Sequence, residues 1–214
     1  MKKYTLKDLN KTFGKSILFI IVCALVGGLC MGFYAKKKQV TTYKAKQNIV
    51  IAHNINNVSG QNTIDAQNSL VNADMNMMKT YSSIAENMQI SKAAHKELPS
   101  NLKKKISISD INSSVNSSTH DQSLVLTITA KTKNPKNSAA IAKSVGKAMQ
   151  HELHKLQPGS GDVTLLSSPT YKDTDSETTP HAKKYAAVGI AVGGLFGIVV
   201  SFSSISIKNY LKNR

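Results

Sequence analysis

The sequence predicts an α+β domain, a small sheet packed with long helices, set between two membrane-spanning helices. Three observations carry that prediction. Two long apolar runs without a single charge stand at 16–35 and 185–207. Between them, "SLVLTITAKT" alternates apolar and polar residues as a half-buried strand does. On either side of it, apolar residues recur at spacings of three and four, which stack on one helix face.

The first run, "SILFIIVCALVGGLCMGFYA", has the roughly 20 apolar residues that a helix needs to cross a bilayer. Lys15 precedes it and Lys36, Lys37 and Lys38 follow it. A cleaved signal peptide would have an apolar core of about 7–15 residues and a small-residue cleavage site, so the run reads as an uncleaved anchor. Cys23 and Cys30 follow Val22 and Leu29, not the small residue of a lipoprotein cleavage site, and lipidation is not expected.

The second run is entered from "TTPHAKK" and carries Gly189, Gly193 and Gly197 at every fourth position; the first has Gly28 and Gly32 at the same spacing. Glycine costs about 1 kcal/mol in an exposed helix interior, so glycines on one face call for close approach of a second helix. The alternative is compositional, because glycine is frequent in membrane helices anyway. Two spans put both termini on one side. The short tails, 1–15 and 208–214, hold Lys2, Lys3, Lys7, Lys11, Lys15, Lys208, Lys212 and Arg214 against Asp8, so the positive-inside rule makes them cytoplasmic. The segment between the spans, 36–184, is then extracytoplasmic: a domain at 36–168 and a proline-containing connector at 169–184.

Along that domain, "TYKAKQNIVIAHN" has a strand-like core at 48–53, followed by the turn-prone "NINNVSGQN". From 64 to about 97 the pattern is helical, with Met77, Tyr81, Ile84 and Met88 on one face and Pro99 as its end; a break near Ser91 is left open. "KKKISISDINSSV" reads as a strand, and "SLVLTITAKT" as the next, with Leu124, Leu126, Ile128 and Ala130 on its buried face. Asn134-Pro135 has the grammar of a helix start, an N-cap followed by proline. The helix after it carries Ala142, Val145, Met149 and Leu156 as its apolar stripe and stops before Pro158-Gly159. A last strand, "DVTLLSS", leads into Pro169 and an extended polar connector at 170–179.

The charge of +16 divides into +4 for the N-terminal tail (five Lys, one Asp), +9 for 36–184 (twenty Lys, eleven Asp or Glu) and +3 for the C-terminal tail. A basic exported face attracts anionic lipid or acidic polymer, or is simply solvated. Arg214 is the single arginine, and with no recognisable binding motif nucleic acid is not an expected partner. The domain has no cysteine, so disulfides do not hold it.

Catalysis is not expected. His151-Glu152-Leu153-His154 is one residue short of H-E-x-x-H and reads as an exposed pair on a helix. Met75, Met77 and Met78 read as core filler rather than a metal site. Tyr171, Asp173, Asp175 and Glu177 read as connector solvation. No GxSxG, phosphate loop or cofactor motif occurs, so no cofactor is expected.

Taken in order, "YTLKDLNKTFGKS" before the first span, "TYKAKQNIVIA" after it, "MKTYSSIAENMQISKAAHKEL", "LVLTITAKTKNPKNSAAIAKSVGKAM" and the proline-led second span resemble the Wzz-type chain-length determinants, the polysaccharide copolymerases. Within them the chain is similar to the short Gram-positive CapA/CpsC-like modulators of a tyrosine autokinase. Asn134 stands where that family usually has Asp, and its proline segment is reduced to Pro169 and Pro180. The resemblance implies an α/β outer domain, oligomers, a bearing on the length of a capsular or exopolysaccharide, contact with a membrane polymerase, and activation of a separate cytoplasmic kinase. It also implies a docking role for the C-terminal tail, where Tyr210 and Leu211 are the large apolar groups among Lys208, Lys212 and Arg214; the alternative for these residues is ordinary anchoring at the lipid interface. The alternative is a two-span sensor whose outer domain binds a small ligand.

Overall fold

A computed structural model describes residues 6–54 and 63–212. The turn-prone stretch beyond Asn54 and the terminal Arg214 lie outside the described residues. The chain divides into two compact units, one of Met1–Val40 with Thr178–Arg214, the other of Thr41–Glu177.

The first unit is a pair of long helices, α1 (Leu6–Lys37) and α7 (Ala182–Lys212). Each contains a stretch long and apolar enough to cross a membrane, Ser16–Lys37 at mean hydropathy 2.5 and Ala182–Ser204 at 2.1. Both stretches are largely uncovered within the chain: Leu29 is 73% exposed, Phe33 72% and Phe202 70%. The helix α1 starts ahead of its apolar run, and α7 carries the backbone on through Lys208, Tyr210, Leu211 and Lys212, whose side chains lie outside the described set.

The second unit holds a five-stranded sheet built on β1 (Val40–Ala52). Its main path is β2 (Val115–Thr119), β3 (Val125–Thr132), β1 and β4 (Asp162–Leu165), and β5 (Asp175–Thr179) also pairs with β1. The pairs β2–β3, β3–β1 and β1–β4 are antiparallel. Strands β1 and β2 are therefore parallel with β3 between them, and β3 and β4 parallel with β1 between them. The helices α2 (Thr63–Ala85), α3 (Met88–Glu97), α4 (Ser100–Lys103) and α5 (Ile108–Ser114) make the first crossover and α6 (Pro135–Leu156) the second. This is the βαββαβ order of a ferredoxin-like, split βαβ arrangement.

The core lies between one sheet face and these helices. Ala45, Ile49 and Ile51 of β1 and Leu126, Ile128 and Ala130 of β3 alternate inward and meet Met78 and Tyr81 of α2, Ile90 and Ala94 of α3, and Ile141, Ala142, Val145 and Met149 of α6. Leu156, at the end of the α6 stripe, packs on the edge of this core. The Asn134 side chain accepts from the Lys136 N–H at 2.9 Å, and Pro135 is the first residue of α6, the start that the sequence grammar specified.

Three sequence readings are corrected. The stretch 103–115 is not a strand until Val115: the Ser107 side chain accepts from the Asp110 N–H and Asp110 accepts from the Ser107 N–H, a capping box that starts α5. The helix break, left open near Ser91, falls at Asn87, whose side chain accepts from the Gln89 N–H; of the predicted stripe Tyr81 is buried and Met77 and Ile84 pack against the core, but Met88 is 42% exposed, and the buried methionine is Met78. The connector at 170–179 is not a free extended linker. It forms a 3-10 turn, Tyr171–Asp173, and the strand β5.

Candidate functional site

The helix pair is the candidate site, because all five glycines singled out by spacing lie where α1 and α7 meet. A Cβ built on Gly28 would stand 2.5 Å from Cγ1 of Ile190, and one on Gly32 would stand 3.1 Å from the Ala186 Cβ. A Cβ on Gly189 would run into the Gly27 carbonyl, one on Gly193 into the Cys23 carbonyl, and one on Gly197 would stand 3.0 Å from the Cα of Ile20. As partners climb α7 from Ala186 to Gly197 they descend α1 from Gly32 to Ile20, so the helices run antiparallel. Backbone touches backbone along this seam. That is the van der Waals packing that holds helices together where no hydrophobic effect operates between them.

Gly27 belongs to the seam and was missed. Its Cβ would stand 2.5 Å from the Gly189 carbonyl oxygen. The signal was present in the Gly27-Gly28 doublet, which provides small residues on two adjacent ridges, while a fourth-residue count keeps only Gly28. Ala24 completes the face, with its Cα 3.1 Å from the Gly193 Cβ position. At the far end of the pair the Gln39 side-chain amide donates to the Pro180 carbonyl at 3.1 Å. Pro180 sits just ahead of α7, and Pro169 just ahead of the 3-10 turn, half-buried.

In the second unit the acidic residues of 171–177 stay open to solvent and are also tethered. Glu177 meets Lys44 at 2.8 Å and Lys131 at 3.4 Å, and Asp175 meets Lys46 at 3.0 Å, on the outer face of the sheet. Hydrogen bonds from Lys44, its charge, and then Lys131 hold the Glu177 carboxyl below its usual value. Thr170 does the same for Asp173 by donating from its hydroxyl and its N–H. These are tethers on β5, not paired acid and base.

Two further constellations escaped the sequence reading. Asp74 of α2 is buried and grips the end of β1, accepting from the His53 N–H at 2.8 Å and facing His53 Nδ1 at 2.7 Å. Burial, and then the Asp74 charge, push the Tyr81 phenol up from its ordinary value, against a hydrogen bond from Gly161. Glu86 accepts from the N–H of Ser117 at 2.6 Å, which blunts the open edge of β2. The first clasps α2 to the end of β1, and the second clasps the turn after α2 to β2. His154 lies between Ser160 (3.1 Å) and Asp162 (3.2 Å), but Ser160 is buried, so the chain of contacts closes the α6–β4 turn. His151 and His154 are both exposed, and among the described residues no three His, Cys, Asp or Glu gather to hold a metal.

Comparison of the chain with protein-family models finds no match, and comparison with curated proteins finds none.

Proposed function

We propose that the chain is a two-span membrane protein with both termini in the cytoplasm and its α+β unit outside. In this reading it acts without catalysis as a chain-length regulator, a copolymerase of capsular or exopolysaccharide synthesis. It activates a separate cytoplasmic tyrosine autokinase and works beside the membrane polymerase, as a homo-oligomer.

The carrying observation is the order of parts: two apolar helices bracketing an α+β unit and packed antiparallel through Gly28, Gly32, Gly189, Gly193 and Gly197. Exposed apolar surface on both helices supports burial in lipid, where unpaired backbone groups are avoided by helices of this kind. The resemblance to Wzz-type modulators supplies the chemistry of the partner. In this reading the extracytoplasmic unit reports to a cytoplasmic kinase through the helix pair, and α7 runs on as helix to Lys212. Displacement of α7 along the glycine seam would thus be felt directly at Lys208, Tyr210, Leu211, Lys212 and Arg214.

The test is loss of the chain in the cell that makes it. Polymer length distribution shifts and phosphotyrosine on the kinase falls; unchanged polymer and unchanged phosphotyrosine contradict the reading.

One observation favours the second reading, a ligand-binding sensor. A cleft of about 690 Å³ opens between α2 and the β2–β3 turn, lined by Asn72, Met75, Asn76, Lys79, Asp121 and Gln122 among others. A ligand captured there, with no effect of the chain on polymer length, selects that reading.

A further inference from the structure

The positive charge of this chain is not spread evenly over it. The helix-pair unit, Met1–Val40 with Thr178–Arg214, has thirteen Lys or Arg against the lone Asp8, or +12, whereas Thr41–Glu177 has fifteen Lys against eleven Asp or Glu, or +4. Within the second unit lysines find carboxylates: Lys44 and Lys131 with Glu177, Lys46 with Asp175, Lys155 with Glu152. Among its described residues the helix pair offers no such partners.

Antiparallel packing sharpens the imbalance. It sets the last turn of α1, with Lys36, Lys37 and then Lys38, beside the first turn of α7, with Lys183 and Lys184; the contacts of Gly32 with Ala186 and of Gln39 with Pro180 bring the two ends together. All five lysines are exposed, and among the described residues no carboxylate lies within ion-pair distance of any of them. Lys38 lies over the Tyr34 ring, 4.8 Å from its centre, and His181 stands exposed beside them. Like charges gathered in this way oppose the contact that gathers them.

We infer that this collar is a binding site for anionic phospholipid headgroups, and that a phosphate held between the two helix ends clamps α1 to α7. The inference rests on the two-span reading. It follows from position: Lys36 and Lys37 close the stretch Ser16–Lys37, Lys38 follows it, and Lys183 and Lys184 stand at the start of Ala182–Ser204, so that in a bilayer all five would lie at the depth of the lipid phosphates. Lysine as a compact, strongly hydrated point charge suits a diffuse layer of headgroups, and each lysine near an anionic surface adds attraction. The clamp also makes lipid composition a control on the glycine seam, since neutralising the collar removes the repulsion that works against it.

The experiment uses the full-length protein in vesicles of phosphatidylcholine with and without phosphatidylglycerol. Spin-labelled analogues of both lipids report which one the protein retains. The expected result is enrichment of phosphatidylglycerol over phosphatidylcholine by about tenfold, lost when Lys36, Lys37, Lys38, Lys183 and Lys184 are all changed to Gln and kept when all five are changed to Arg. Equal retention of the two lipids, or enrichment unaffected by the Gln changes, overturns the inference. Displacement of the labelled lipid by inorganic phosphate or polyphosphate would assign the site to soluble phosphate and overturn it too. Alkaline extraction of the same vesicles separates the two failures: a protein washed off the bilayer refutes the spans themselves, while a protein that stays inserted without lipid preference refutes only the collar.

Discussion

The Cβ of Cys23 lies 3.1 Å from the point where a Cβ on Gly197 would stand. This pairing of the two helices is open to direct chemistry, because a disulfide needs Cβ atoms about 3.5–4.5 Å apart and the helices need yield only a few tenths of an ångström. Gly197→Cys in a Cys30→Ala background is expected to bridge to Cys23 within one chain on oxidation. The bridged protein runs as a monomer on a non-reducing gel; bridging only between chains, or none, contradicts the antiparallel pair.

Gly193 abuts the Cys23 carbonyl, so a larger side chain must push the helices apart. Gly193→Leu is expected to cost about 1–3 kcal/mol of helix association, as overpacking does. Added to the Gly197→Cys/Cys30→Ala chain, it should abolish the bridge to Cys23 while leaving membrane insertion unchanged. Undiminished bridging would show that the glycines are compositional.

The fold of the α+β unit should weaken in acid. The carboxyls of Glu177, Asp173 and Asp110 are all held below their ordinary values, by Lys44, by Thr170 and by Ser107 first among their causes. Groups with depressed folded values stabilise at pH above their unfolded values, 4.5 for Glu177 and 3.8 for the two Asp, and that contribution is lost as pH falls through the folded ones. Thermal unfolding followed by circular dichroism should give a midpoint level from neutrality to about pH 5 and falling below it. Glu177→Gln should flatten the upper part of that fall; a profile identical to the unaltered chain would show that the lysine contacts contribute nothing.

Local signals in the chain decided how much of this was legible. Asn134-Pro135 states its helix start in two residues, and the alternation through Leu126, Ile128 and Ala130 states its strand. At 106–110 the two signals conflict. The Ile-Ser-Ile-Ser alternation looks like a strand, yet Ser107 and Asp110 at i, i+3 form a capping box that satisfies two helix-end donors, and the helix wins. The pinning of Glu177 was not legible because its partners, Lys44 and Lys131, lie far away in sequence and meet it only once β1, β3 and β5 share a sheet. Asp74 and His53 are hidden for the same reason. Gly27 was lost for a different one, a count that followed a single ridge of α1.

Ser118 and Ser176 are exposed on the α+β unit, on β2 and β5. With that unit outside, cysteines placed there in a Cys23→Ala/Cys30→Ala background react with an impermeant maleimide on intact cells. Reaction only after lysis places the unit in the cytoplasm and removes the basis for an exported regulator.

In the proposed function the chain switches on a cytoplasmic tyrosine autokinase through its C-terminal end. The full chain and a form lacking residues 209–214, which removes Tyr210, Leu211, Lys212 and Arg214 and keeps Lys208, are each expressed with the kinase, and kinase phosphotyrosine is measured at matched membrane levels. An aromatic anchor concentrates the energy of such a contact, so phosphorylation is expected with the full chain and a loss of at least about tenfold with the truncated one. Equal phosphorylation with both forms, or none with either, contradicts it.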